Sequence, residues 1–179
     1  MDEQTKAWKV SFEKENRGNA WIVGNDISTD DIIPGKFLEI RDVFSLSAHV
    51  FERFGEGFAT KVKQGDVIIA GNNFGCGSSR EQAPFLLQFL GIGAIFARSF
   101  ARIFYRNAIN IGLPAITIDG DTYDAFKPSE SVVYTLDPPS ITIVRSRKRY
   151  PLQPMPAFFT NILRAGGAIP LLKKELAKE

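Results

Sequence analysis

Gly71-Asn72-Asn73-Phe74-Gly75-Cys76-Gly77-Ser78-Ser79-Arg80-Glu81-Gln82 lies between the apolar run Val67-Ile68-Ile69-Ala70 and the helical-looking Ala83-Pro84-Phe85-Leu86-Leu87-Gln88-Phe89-Leu90. The pattern reads as strand, glycine loop, helix start. Ser78 with Glu81, and Ser79 with Gln82, each satisfy the Ser-x-x-Glu/Gln spacing of a capping box, so either hydroxyl is placed to cap the helix. Gly71, Gly75 and Gly77 allow positive φ and a close approach of backbone to a ligand, and a helix N-terminus favours an anion. Arg80 in the first helical turn opposes the helix dipole, an arrangement that makes sense with a carboxylate or phosphate between them. A plainly capped helix with a solvated arginine accounts for the same residues, and glycine loops before helices are common.

Outward from that stretch, 179 residues suit one domain with a single sizeable core. Apolar residues at 44% and charged residues at 23% describe an ordinary globular chain. The formal charge of +2 gives no electrostatic reason to expect nucleic acid or a membrane surface as partner. One cysteine, Cys76, excludes an internal disulfide, and with the single histidine, His49, it leaves no ordinary Cys/His metal cage within the chain. Residues 1–6 lack the basic and apolar regions of a secretory signal, and no apolar run approaches the roughly 18 residues of a membrane span. A cytoplasmic location is the default expectation.

The string Gly-Cys-Gly-Ser-Ser-Arg-Glu-Gln-Ala-Pro at 75–84 is followed by Ala97-Arg98-Ser99-Phe100-Ala101-Arg102-Ile103-Phe104 and by Asn110-Ile111-Gly112-Leu113-Pro114. Together they resemble the swivel domain of the aconitase superfamily, and within it the free-standing small subunits of the 3-isopropylmalate dehydratase and homoaconitase group. The resemblance covers about 19–172, nearly the whole chain. It implies an α/β domain of the swivelling β/β/α three-layer type, like domain 4 of aconitase, over 19–179, with 1–18 as an N-terminal extension. It implies a hydro-lyase acting on a small 2-hydroxy diacid such as 2-isopropylmalate, in leucine biosynthesis. The activity would be exerted in a heterodimer or heterotetramer with a large subunit that carries a [4Fe-4S] cluster. No cofactor is then bound by this chain, and Cys76 matches no cluster ligand. Ser78 maps onto the residue that takes the α-proton, and Arg80 onto the one that grips a substrate carboxylate. Ser79 and Gly77 belong to the substrate-binding loop.

Residues 19–23 read as a strand ending at Gly24. Asn25-Asp26-Ile27-Ser28-Thr29-Asp30-Asp31-Ile32-Ile33-Pro34-Gly35 then reads as a polar loop, and self-capped turns are the common fate of such Asn/Asp runs. The resemblance places a Thr-Asp pair of the active site here, making Thr29 a binding residue and Asp30 a group that orients or assists proton transfer. It also makes Phe37, Leu38, Glu39, Ile40 and Arg41 the substrate-specificity segment. Homoaconitase-like members carry arginine where this chain has Glu39, and isopropylmalate-specific members a small or apolar residue. A buried or half-buried Glu39 would repel a third substrate carboxylate, whereas Arg41, two residues on, would attract one.

A helix is expected over 43–54, closed by Gly55-Glu56-Gly57, with His49 as a packed or surface residue rather than a catalyst. Residues 93–97 read as a buried strand, Ser99 as N-cap of a helix over 100–111, and 113–118 as the next strand. Arg98 and Arg102 flank that helix start, as a solvated pair, an addition to an anion site, or a subunit contact. Gln82, where the family commonly has histidine, is assigned no acid–base role. The alternation so far is that of βαβ units. Three short β segments follow at 131–136, 140–145 and 149–152, then a helix over 156–165 closed by Gly166-Gly167 and a charged, frayed end from 171. The basic turn Ser146-Arg147-Lys148 is a solvated hairpin tip rather than a nucleic-acid patch. At 1–17 the alternation of Trp8, Val10 and Phe12 suggests a short edge strand or a loosely ordered extension.

Two readings of other classes compete. A nucleotide- or anion-binding regulatory module would use the loop at 71–79, yet neither Gly-x-Gly-x-x-Gly nor a Gly-Lys-Ser/Thr ending is present. A regulatory subunit without catalysis would not need Ser78, Ser79, Arg80, Thr29 and Asp30 together.

Overall fold

The computed structural model describes residues 10–12, 14–54 and 57–177. Most of the expected N-terminal extension, Trp8 included, lies outside them, as do Gly55 and Glu56 of the expected helix end. Seven strands form one mixed sheet in the order β4-β3-β2-β1-β5-β6-β7: β1 is Asn16–Val23, β2 Val67–Ala70, β3 Ala94–Ala97, β4 Ala115–Thr117, β5 Ser131–Leu136, β6 Pro139–Ile143 and β7 Lys148–Pro151. Strands β1 to β4 run parallel and β5 to β7 antiparallel.

β1 belongs to both halves. Its first half pairs antiparallel with β5 and its second half parallel with β2. Where it changes partner the backbones are so close that a Cβ on Gly18 would sit 2.1 Å from the Gly65 carbonyl oxygen, so only glycine fits. Buried Asp66 ties the crossing down, accepting from the Asn19 N–H at 2.8 Å and from Trp21 Nε1–H at 2.9 Å.

Because side chains alternate across a strand, the parallel half faces two cores. Ile68, Ala70, Ile95, Ala97 and Ala115 point toward the helices and pack with Leu86, Leu87, Phe104 and Ala108. Val67, Ile69, Ala94, Phe96 and Ile116 point the other way, onto Val132, Tyr134, Leu136 and Ile141 of the antiparallel half. The ring centroids of Phe96 and Tyr134 are 5.8 Å apart, so the sheet folds over on itself. Burial pushes the Tyr134 phenol far above its ordinary value, with the Asp66 charge adding to it. Helices, parallel strands and antiparallel strands thus make the three β/β/α layers.

The helices are α1 Thr29–Ile32, α2 Val43–Ser47, α3 Phe58–Lys61, α4 Gln82–Phe89, α5 Arg102–Ile111, α6 Gly120–Asp124, α7 Ala157–Ala165 and α8 Ala168–Leu176. Several expectations need correction. The helix foreseen over 43–54 stops at Ser47 and resumes as a 3-10 turn at Glu52–Phe54, because Phe51 takes φ +56° to bury its ring. The supposed frayed end is α8, packed on α5 and α7. Residues 10–12 form no strand, although Phe12 packs against the core. Neither expected serine cap forms: α4 begins at Gln82 and α5 at Arg102, both without a side-chain cap, and Ser99 Oγ accepts from the Asn73 N–H at 2.8 Å instead. Val67–Ala70 and Ser131–Leu136 appear as read.

Candidate active site

Two loops leave the C-terminal ends of the neighbouring parallel strands β1 and β2 and are zipped together. The Asp26 N–H donates to the Asn72 carbonyl at 2.8 Å, Gly75 N–H to the Ile27 carbonyl at 2.7 Å, and Thr29 N–H to the Cys76 carbonyl at 2.8 Å. Asn25 Oδ1 accepts from the Asn72 N–H at 2.7 Å. The loop carrying Ser78 therefore continues the sheet instead of dangling from it. Beneath it lies Phe104 of α5, so near that a Cβ on Gly75 would stand 2.1 Å from the Phe104 ring, and Gly75 itself has φ +79°.

This zipper brings Thr29, Gly77, Ser78, Ser79 and Arg80 to one open cleft between the loop and the start of α5. The Thr29 hydroxyl, buried, donates to the Ser78 carbonyl at 2.9 Å and fixes the backbone of the serine. Ser78 and Ser79 are exposed, and their hydroxyls make no hydrogen bond among the described residues. Freed from the capping role, both are available to a ligand.

Arg80 precedes α4 rather than standing in its first turn, so the expected conflict with the helix dipole is absent. Its Nη1 donates to Asp30 Oδ1 and, at 2.7 Å, to the Ile33 carbonyl. Nη2 and Nε make no hydrogen bond among the described residues and so keep a two-pronged edge for an oxyanion. Asp30 also accepts from the Gly35 N–H at 2.9 Å. The Arg80 hydrogen bond first, and that N–H second, hold the Asp30 carboxyl below the usual aspartate range. Asp30 is thus an anion that orients Arg80 and not a proton donor near neutrality. α1 is itself pinned by a reciprocal Ser28–Asp31 capping box, and the Arg53 guanidinium donates to Asp31 at 2.6 Å.

The segment 37–41 does not line the cleft. It connects to it through the 3-10 turn Gly35–Phe37, whose glycine touches both Asp30 and Arg80. Phe37 stacks on His49, ring centroids 3.7 Å apart, which gives the histidine a packing role. Glu39 and Arg41 are both exposed, so the premise of a half-buried Glu39 does not hold in this chain alone. Sequence reasoning missed Ile103, Phe104 and Asn107, which line the far wall of the cleft. Ile103 and Phe104 lie within the string 97–104 and Asn107 one turn beyond Ile103, but nothing in the sequence ties that face of α5 to the loop.

The fit to a metal cluster is poor. Among the described residues no three His, Cys, Asp or Glu groups converge as ligands. Burial, and then the Asp26 charge, push the Cys76 thiol above its ordinary value, opposing the thiolate a metal needs.

Two sheet halves folded over each other, with the glycine loop at the C-terminal edge of the parallel half, define an aconitase-type swivel domain, and residues 50–121 match the model of the Aconitase C-terminal domain. The chain is 46% identical over 159 residues to the 3-isopropylmalate dehydratase small subunit 1 of Methanopyrus kandleri, covering 89% of this chain and 93% of that one. It is equally 46% identical, over 158 residues, to the methanogen homoaconitase small subunit of Methanocaldococcus jannaschii, covering 88% and 91%. A solved structure of a 3-isopropylmalate dehydratase from the latter organism superposes with TM-score 0.85 at 43% identity, covering 92% of this chain and 96% of that one. The chain belongs to the family of 3-isopropylmalate dehydratase small subunits.

Proposed function

We propose that this chain is the small subunit of a hydro-lyase that isomerises 2-isopropylmalate to 3-isopropylmalate by dehydration and rehydration, working with a large subunit. The observation that carries the reading is the exposed, unbonded Ser78 hydroxyl held beside an Arg80 whose orientation Asp30 fixes. The reading assigns to the large subunit a [4Fe-4S] cluster whose iron supplies Lewis acidity toward the departing hydroxyl.

Within this chain, Ser78 as alkoxide takes the proton from the carbon α to a substrate carboxylate. The C–H electron pair becomes the new C=C bond as the hydroxyl leaves as hydroxide, which takes a proton from an acid on the large-subunit side to become water; Ser78 is left protonated beside an alkene diacid. In the return step water gives its proton back to that acid and adds its hydroxyl to the neighbouring carbon while Ser78 returns its proton to the other, so both groups are restored and atoms balance for a net isomerisation. Nη2 and Nε of Arg80 hold a substrate carboxylate in register with Ser78, because a guanidinium fork fixes direction as well as charge. The Ser79 hydroxyl is placed to stabilise charge that develops on the carbanion-like intermediate. Thr29 keeps the Ser78 backbone from shifting. On this reading turnover requires the partner, which closes over the open cleft.

A homoaconitase reading is favoured by one specific observation, the equal identity to the methanogen homoaconitase small subunit. Glu39 opposes a third carboxylate and Arg41 attracts one. The deciding experiment is the turnover of 2-isopropylmalate, homoaconitate and 2-methylmalate by this chain copurified anaerobically with its large subunit. Preference for isopropylmalate supports the proposal. Preference for the tricarboxylate transfers the substrate contact to Arg41. Turnover by this chain alone overturns the division of labour.

A further inference from the structure

Beside the cleft, and sharing Arg102 with it, is a second hollow lined by Arg98, Arg102, Tyr105, Arg106, Thr117 and Phe159. The three arginines are exposed and none meets a carboxylate among the described residues. Arg53, Arg80, Arg145 and Arg164 each do. The chain as a whole is nearly neutral, so a cluster of unpaired cations is local and not a by-product of composition.

For the isolated chain this arrangement is unfavourable. Arg102 and Arg106 are four residues apart on α5 and repel each other, and Arg102 stands at the helix N-terminus, where the dipole already favours anions. Asp119, near Arg98 through the Gly120 backbone, is committed to its own helix cap, accepting from the Thr122 N–H at 2.7 Å. The floor of the hollow is aromatic: Tyr105 lies 5.7 Å from both Phe100 and Phe159 by ring centroids. Ile103 on the cleft wall and Phe158 beside the hollow are 53% and 68% exposed. Cations around an aromatic floor with apolar shoulders match the composition of a protein–protein contact better than that of a small-anion pocket.

We infer that Arg98, Arg102 and Arg106 dock an acidic segment of the large subunit that closes over the Ser78 cleft. This rests on the reading above, that a large subunit completes the site. Continuity decides the occupant: whatever covers the cleft must pass over Arg102, and the adjoining cations then meet its carboxylates. Such rim charges act chiefly on encounter and on salt dependence.

The test uses Arg98→Glu/Arg106→Glu and its neutral counterpart Arg98→Gln/Arg106→Gln, leaving Arg102 intact because it lines the cleft. Each is mixed with the large subunit, and the dissociation constant is measured by interferometry at about 50 mM and about 300 mM salt, where screening differs strongly. The charge-reversed variant should bind roughly tenfold or more weakly at low salt, the neutral one less so, and both should lose salt sensitivity that the unaltered chain shows. Rate at saturating large subunit should be unchanged. If the unaltered chain assembles and the variants assemble equally tightly, the inference is overturned. If the variants assemble normally but KM for the diacid rises, the arginines serve substrate instead and the inference again falls. Failure of the unaltered chain to assemble refutes the two-subunit reading itself.

Discussion

Replacing Gly75 by alanine, with Gly77→Ala as its control, tests how tightly the glycine loop is seated. Both glycines have positive φ, +79° and +91°, so an L-residue at either costs about 1–2 kcal/mol of backbone strain. They differ in what a methyl group meets. At Gly77 the nearest atom is Thr29 Oγ1 at 3.6 Å, an ordinary contact. At Gly75 it is the Phe104 ring at 2.1 Å, and Phe104 is 2% exposed with nowhere to go. Overpacking of that kind adds about 1–3 kcal/mol, for a sum of about 2–5 kcal/mol. In a domain of this length each kcal/mol lowers Tm by about 2–4 °C, so Gly75→Ala should lose roughly 4–20 °C and Gly77→Ala roughly 2–8 °C. Differential scanning calorimetry of the two variants side by side supplies the measurement. Equal losses, or a Gly75→Ala variant as stable as the parent, would refute the seating of the loop on Phe104.

Ser78→Ala should leave Tm unchanged, since the side chain is exposed and unbonded, while the assembled enzyme loses at least about a hundredfold in kcat; a fall in stability would make Ser78 structural. Gly35→Ala puts a Cβ 3.1 Å from Arg80 Nη2 at a backbone that tolerates alanine. It should raise KM for the diacid roughly tenfold, about 1.4 kcal/mol, and an unchanged KM means that substrate does not use Nη2. The depressed Asp30 pKa stabilises the fold above the unfolded aspartate's value, about 4, and that contribution fades as pH falls through the lower folded value. Asp30→Asn should therefore differ from the parent in urea midpoint at neutral pH and converge on it in acid. A difference that persists into acid refutes the ion pair as its source.

What the sequence discloses follows from the length over which a signal acts. β2 and β3 are continuous apolar runs between turn residues, the mark of strands buried on both faces, and their limits are read almost to the residue. α1, α3 and α6 span one turn each, too short for a periodic pattern to show. α8 keeps Ile169, Leu172 and Leu176 exposed, so its charged surroundings read as a loose end. That Thr29, Ser78 and Arg80 meet at one cleft is legible because the strings around them are specific. The Ser-x-x-Glu spacing misleads because partners 46 to 50 residues away along the chain, Asn25, Asp26 and Ile27 among them, hold the loop instead of a cap. Asn107 is invisible for the same reason: only packing of α5 under the loop brings it to the cleft.

A sheet that folds over without closing keeps, among the described residues, two open edges, β4 and β7. Each is a template on which another strand can pair. β4 is three residues long, and β7 carries Lys148 and Arg149 and ends at Pro151, which has no N–H to offer. Brevity at one edge, and charge with a proline at the other, blunt strand addition leading toward aggregates at both ends.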